Sequence, residues 1–292
     1  MQTIVPHLWF DRQAKEAAAL YTGVFSDSRL VSVTTLHDTP SGDVDTVQLD
    51  LCGQRFQFIS AGPLFKFTPA ISFRVDCATP AAVDALWAAL AEGGSALMPL
   101  GAYPFSERYG WLEDRYGVSW QLMATGAAQQ RITPAFMFTN AQCGKAEEAI
   151  RFYCSLFPDS QVDSVLRYGS DEPPDAPGTV KQAAFTLAGQ AFAAMDSAYA
   201  HDFNFNEAVS LMVYCETQAE IDRYWQALSA VPEAEQCGWL KDRYGVSWQI
   251  VPAAMDAMLA DPDPQKAARV TAAFLPMKKF DLAALERAYA GD

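Results

Sequence analysis

The chain has 292 residues, 50% apolar and 19% charged, with a formal net charge of −14. That length suits about two domains of roughly 150 residues, each able to bury a core of its own. The acidic balance excludes the basic footprint that nucleic acid or an anionic lipid surface requires, and no apolar run is long enough for a membrane span.

In chain order, Thr3–Phe10 is apolar and rich in β-formers, which predicts a strand. Arg12–Phe25 carries Ala, Glu and Leu at helical spacing and predicts a helix that stops before Ser26-Asp27-Ser28. Arg29–His37, Asp43–Leu51 and Gln54–Ser60 read as three short strands separated by turns. The pattern then restarts. Ala70–Asp76 is a strand, and Thr79–Gly94 is a helix with Pro80 in its first turn and glycines at its end. Ala96–Leu100, Tyr109–Asp114 and Val118–Ala124 follow as strands.

The second half repeats the first. "GWLEDRYGVSWQL" (Gly110–Leu122) returns as "GWLKDRYGVSWQI" (Gly238–Ile250), and matching segments are offset by 128 residues at Pro6/Pro134, 138 at Trp87/Trp225 and 128 again at Trp111/Trp239. A strand-helix-strand-strand-strand unit therefore occurs four times. The expected domains are residues 1–127 and 132–254, joined by the small, polar Thr125–Arg131 and followed by a helical tail over 255–292. In the repeated phrase Gly117 allows a tight turn. After it Val118, Trp120 and Leu122 share one strand face, and Ser119 and Gln121 the other. Between Trp87 and Trp111 lie 23 residues, but between Trp225 and Trp239 only 13. The shorter spacing predicts loss of one strand and its turn, so the better pocket is expected in the first half.

The paired βαβββ units, the phrases "DRYGVSWQLM" and "DRYGVSWQIVP", and the ending "DPDPQKAARVTAAFLPMKKFDLAALERAYAG" resemble one branch of the vicinal oxygen chelate (glyoxalase/bleomycin resistance/dihydroxybiphenyl dioxygenase) superfamily. That branch is the PhnB-like, 3-demethylubiquinone-9 3-methyltransferase-like domain family. The resemblance covers essentially the whole chain. It implies an α+β fold of two tandem glyoxalase-like domains, each of two βαβββ modules forming a half-open antiparallel barrel around a cleft, with a C-terminal helical tail. It also implies that the fusion supplies in one chain the pairing that single-domain relatives obtain by dimerising, giving a monomer with an internal pseudo-dimer, or a homodimer. Methyl transfer is not expected. The usual S-adenosylmethionine site needs a glycine-rich strand-to-helix turn on a parallel sheet, and the short strand–turn–strand spacings demand antiparallel hairpins.

Metal-using members of the superfamily place ligands on the first, fifth and last strands of a domain. The resemblance maps these places to His7, about Ala70, and Gln121 in the first half, and to Ala135, about Ala208, and Gln249 in the second. Alanine cannot coordinate and amides are weak ligands, so neither a metal nor a cofactor is expected. His7 reads either as a buried histidine bonded to a neighbour or as a ligand-binding group or proton shuttle. Gln121 and Gln249 either orient a ligand or satisfy backbone groups. Trp87, Trp120, Trp225 and Trp248 read as core. The expected first cleft is lined by His7, Trp9, Trp111, Ser119 and Gln121, with Tyr103 or Phe105 closing over it; Met137, Trp239 and Gln249 belong to the second. Cys52, Cys77, Cys143, Cys154, Cys215 and Cys237 contain no C-x-x-C pair, and no nearby histidine supports a nucleophile.

The expected function is small-molecule binding, or a metal-independent enzyme activity with no catalytic residue assigned. The alternatives are a metal-dependent lyase or dioxygenase of the glyoxalase type and a drug-sequestering resistance protein. The partner is a small-molecule ligand, not nucleic acid or membrane. With no signal-peptide pattern at the N-terminus and scattered cysteines, the expected location is the cytoplasm.

Overall fold

A computed structural model describes residues 4–292; residues 1–3, with which the first expected domain begins, lie outside the described residues. Four modules follow one another. The first holds β1 (Ile4–Phe10), α1 (Ala14–Val24), β2 (Arg29–Thr39), β3 (Gly42–Leu51) and β4 (Gln54–Ser60). The second holds β5 (Ile71–Cys77), α2 (Pro80–Leu90), β6 (Ser95–Tyr103), β7 (Ser106–Glu113) and β8 (Ser119–Ala124). The third holds β9 (Arg131–Phe138), α3 (Ala146–Leu156), β10 (Gln161–Arg167), β11 (Val180–Leu187) and β12 (Gln190–Asp196). The fourth is shorter, with β13 (Val209–Cys215), α4 (Gln218–Leu228), β14 (Trp239–Lys241) and β15 (Ser247–Pro252). A tail of α5 (Met255–Leu259), α6 (Pro264–Phe274) and α7 (Leu282–Ala290) ends the chain.

Local chemistry explains the boundaries. The Thr79 hydroxyl accepts from Ala82 N–H, and Pro80 opens α2. Thr217 and Glu220 form a capping box on α4, and Asp263 caps α6. The hairpins within each module are antiparallel, as their short turns require. Each helix is a crossover that returns the chain parallel to its first strand, pairing β1 with β4, β5 with β8, β9 with β12 and β13 with β15. The sheets are therefore mixed.

A module's first strand has one neighbour inside its module and one free edge, whose N–H and C=O groups need partners. They find them in another first strand. β1 runs antiparallel to β13, with His7 opposite Ser210, and β5 runs antiparallel to β9, with Ser72 opposite Ala135. The result is a seven-stranded sheet, β14-β15-β13-β1-β4-β3-β2, and an eight-stranded sheet, β10-β11-β12-β9-β5-β8-β7-β6. Each sheet joins one module from either half of the sequence.

The shorter spacing does cost the fourth module one strand. Where β6 stands in the second module, the fourth has a single tight turn at Pro232–Ala234. The tail covers that edge: Cys237 N–H donates to Met277 O at 2.8 Å and Gly238 N–H to Lys278 O at 2.7 Å. Gly238 has φ +81°, and a Cβ there would stand 2.4 Å from the Phe280 ring; at Gly110 it would stand 2.4 Å from Trp87. The glycine shared by both copies of the phrase thus makes room for an aromatic ring, from α2 in one and from the tail in the other.

The aspartate of the phrase is buried in both copies. Asp114 accepts from Tyr21 OH (2.5 Å) and Trp120 Nε1 (2.8 Å) on Oδ2, and from Tyr116 and Val118 N–H on Oδ1. Asp242 repeats this with Tyr153, Trp248, Tyr244 and Val246. Burial pushes both carboxyls up, and the four donors pull them back. Tyr21 lies in the first module and Asp114 in the second, so the bond ties two modules that share no sheet. Tyr21→Phe should lower stability by about 1–2 kcal/mol. Asp114→Asn should lower it by about 2–3 kcal/mol, because an amide NH2 would face either the two side-chain donors or the two backbone donors. Urea unfolding of both variants tests this, and an unchanged midpoint for Asp114→Asn would refute it.

Candidate functional site

The face of the seven-stranded sheet turned away from the main core carries the site. On β1, Ile4, Leu8 and Phe10 enter the main core, which leaves His7 and Trp9 on the opposite face. The register places His7 beside Ser210 on one side and Gln57 on the other, with Gln48 beyond Gln57. From the fourth module Trp239, Gln249 and Met212 face the same space, and the tail adds Met255, Asp256, Leu259, Phe274 and Phe280. These groups line a cavity of about 240 Å³ that is open on one side.

The aromatic wall is fixed by edge contacts. The Trp239 ring meets His7 at 5.3 Å and 89°, and Trp9 at 6.0 Å and 73°. Trp9 Nε1 donates to Gly62 O at 2.8 Å. Gln249 Nε2 donates to Ser210 Oγ at 2.9 Å. Asp256 Oδ2 accepts from Gln48 Nε2 at 2.6 Å and from Tyr214 OH at 2.8 Å. Two buried polar atoms in this wall have no protein partner: His7 Nδ1 and Gln57 Oε1. Such atoms are rare in folded proteins and mark places where something else completes the bonding.

Of the residues singled out from sequence, His7, Trp9, Trp239 and Gln249 converge here, two from each half of the chain. Of the other six, five lie in strands of the eight-stranded sheet and Phe105 in the turn between β6 and β7, so the lining expected for a first-half cleft is split between two sheets. The reason is the free-edge pairing, which puts the first module beside the fourth. On the eight-stranded sheet the equivalent groups satisfy one another. Trp111 Nε1 donates to Ser119 Oγ (2.8 Å), Tyr109 OH to Gln121 Oε1 (2.9 Å) and Gln121 Nε2 to Ser72 Oγ (2.7 Å). Tyr103 and Phe105 stack at 5.6 Å, both against Tyr109, and Met137 is buried. Nor do Ala70 and Ala208 occupy the places opposite Ala135 and His7. Both alanines precede their strands, their carbonyls accepting from Met137 and Trp9 N–H, and the facing positions are Ser72 and Ser210. Gln48, Gln57 and Asp256 were not foreseen. Gln57 had a readable signal, since it stands between Phe56 and Phe58 as Gln121 stands between Trp120 and Leu122.

Burial lowers the His7 pKa from 6.5 to about 3. Above pH 6.5 the ring is neutral in both folded and unfolded chains. Below it, the unfolded chain takes a proton that the folded one excludes, so stability is lost as pH falls toward 3. Between pH 7 and pH 5 the native chain should lose about 2 kcal/mol more than His7→Gln, read from urea unfolding at each pH. Parallel losses in the two proteins would refute a buried, neutral His7.

Against known proteins, the profile of the 3-demethylubiquinone-9 3-methyltransferase family matches residues 2–123 and again 130–251. No curated protein matches the chain. Among solved structures, the PhnB protein of Bacillus cereus is 40% identical over 42% of this chain and 100% of its own, with a TM-score of 0.40. Glyoxalase I of Zea mays is 12% identical over 86% of this chain and 94% of its own, with a TM-score of 0.52, a likeness of fold alone. The metal ion that glyoxalase-type relatives use finds no suitable ligands here. Beside His7 stand Ser210 and Gln57, weak partners for a divalent transition metal, and the cavity's Asp256 is already bonded by Gln48 and Tyr214. Among the described residues no group of three or more His, Cys, Asp or Glu could hold an ion. With both halves matched by one profile on a vicinal oxygen chelate fold, the chain belongs to the 3-demethylubiquinone-9 3-methyltransferase family, as two tandem PhnB-like domains.

Proposed function

We propose that the chain binds a small organic molecule in the cavity between the first module, the fourth module and the tail, without a metal ion. The observation that carries this reading is the pair of buried, unpartnered atoms, His7 Nδ1 and Gln57 Oε1, in the wall of a largely apolar cavity that includes Trp9, Trp239, Phe274 and Phe280. Size supports a small ligand. Pockets for drug-sized molecules run to about 300–1,000 Å³, so a cavity of about 240 Å³ disfavours sequestration of a large antibiotic. The depressed pKa of His7 favours binding over proton transfer, because a group so weakly basic is a poor general base near neutral pH.

A screen of small metabolites by quenching of tryptophan fluorescence tests the reading. For any compound bound, His7→Ala or Gln57→Leu should weaken affinity by about 1–3 kcal/mol, while Gln121→Ala on the other sheet leaves it unchanged. Hits indifferent to both cavity variants would overturn it. Zinc, nickel or manganese added to the protein should shift neither its melting temperature nor its affinity for such a compound.

A further inference from the structure

The cavity's unmet bonding capacity describes the molecule that would fill it. Gln57 Oε1 is an acceptor without a donor. Among the described residues, Asp256 is the one carboxylate in the lining, and no lysine or arginine lines the space. Its position is held from two elements, by Gln48 Nε2 on β3 and by Tyr214 OH on β13. Arg55, two residues before Gln57 on β4, pairs with Asp50 at 2.7 Å and lies outside the lining, although its charge reaches Tyr214. A ligand carboxylate or phosphate would therefore stand beside the Asp256 carboxylate with no described lysine or arginine lining the space, an arrangement that disfavours an anionic ligand. A donor group would meet two acceptors. The walls add flat apolar surface from Trp9 and Trp239, set edge to face, and aromatic faces also favour a nearby cation.

Building on the binding role proposed above, we infer that the ligand is a small aromatic amine or alcohol that carries no negative charge. Its ring packs against the wall formed by Trp9 and Trp239, and its N–H or O–H donates to Gln57 Oε1. Asp256, contributed by the tail, is the residue that sets the charge preference.

Benzylamine, benzyl alcohol and benzoate are matched in size and differ in charge, so their titration into the full chain, followed by tryptophan fluorescence and calorimetry, tests the inference. The amine and the alcohol should bind, with benzoate about tenfold weaker or more, and Gln57→Leu should weaken both binders by about tenfold. Asp256→Asn should narrow the gap between amine and benzoate. The comparison among probes needs only the unaltered protein, so it stands even where a variant folds poorly. Benzoate binding as tightly as benzylamine, with His7→Ala weakening both, would overturn the ligand class and leave the cavity as the binding site. So would failure of all three probes alongside a screened compound whose binding depends on His7. Binding of the probes that ignores His7, Gln57 and Asp256 alike would overturn the site and the class together.

Discussion

Each module's first strand is paired on one side only, and the rest of the molecule follows from how that edge is closed. β1 pairs with β13 and β5 with β9, which joins the first module to the fourth and the second to the third. Two buried carboxylates make the complementary links, Asp114 to Tyr21 between the first and second modules and Asp242 to Tyr153 between the third and fourth. Strand pairing and buried hydrogen bonding thus form a closed ring of four contacts. Neither alone would place the modules, because backbone pairing sets register within a sheet and says nothing of how two sheets pack.

A duplicated sequence would by itself build two like clefts. Two departures from the repeat make them unlike. On the eight-stranded sheet, Trp111, Ser119, Gln121, Tyr109 and Ser72 consume one another's donors and acceptors. On the seven-stranded sheet histidine replaces alanine on the first strand, Trp239 turns its ring onto His7 and Trp9, and Ser247 Oγ is left without the partner that Ser119 has. The lost strand of the fourth module matters as much. It leaves an edge that Met277 and Lys278 bond to and that Phe280 packs against at Gly238, which brings Phe280 into the cavity wall, while α5 adds Asp256 through Gln48 and Tyr214.

The electrostatics of the cavity follow from the same arrangement. His7 is buried among apolar and amide groups that offer no compensating charge, so it stays neutral over the ordinary pH range. Asp256 keeps its place through two donors from different modules. The site is poor in mobile protons and rich in fixed acceptors, which suits recognition better than acid–base chemistry.

The repeat, the four modules, the strand faces and the missing strand were legible in the sequence, because each rests on local spacing: alternation along a strand, helical periodicity, and the ten-residue difference between Trp225 and Trp239. The outward placement of His7, Trp9, Trp239 and Gln249 follows from that alternation. Which of them meet was decided only by tertiary structure. A free strand edge can be closed by any strand with a matching apolar face, and nothing in the local pattern distinguishes the neighbouring module from one two hundred residues away. The same limit hid Asp256. Its place comes from hydrogen bonds to Gln48 and Tyr214, 208 and 42 residues away in the chain, and long-range complementarity of that kind leaves no periodic trace in the chain.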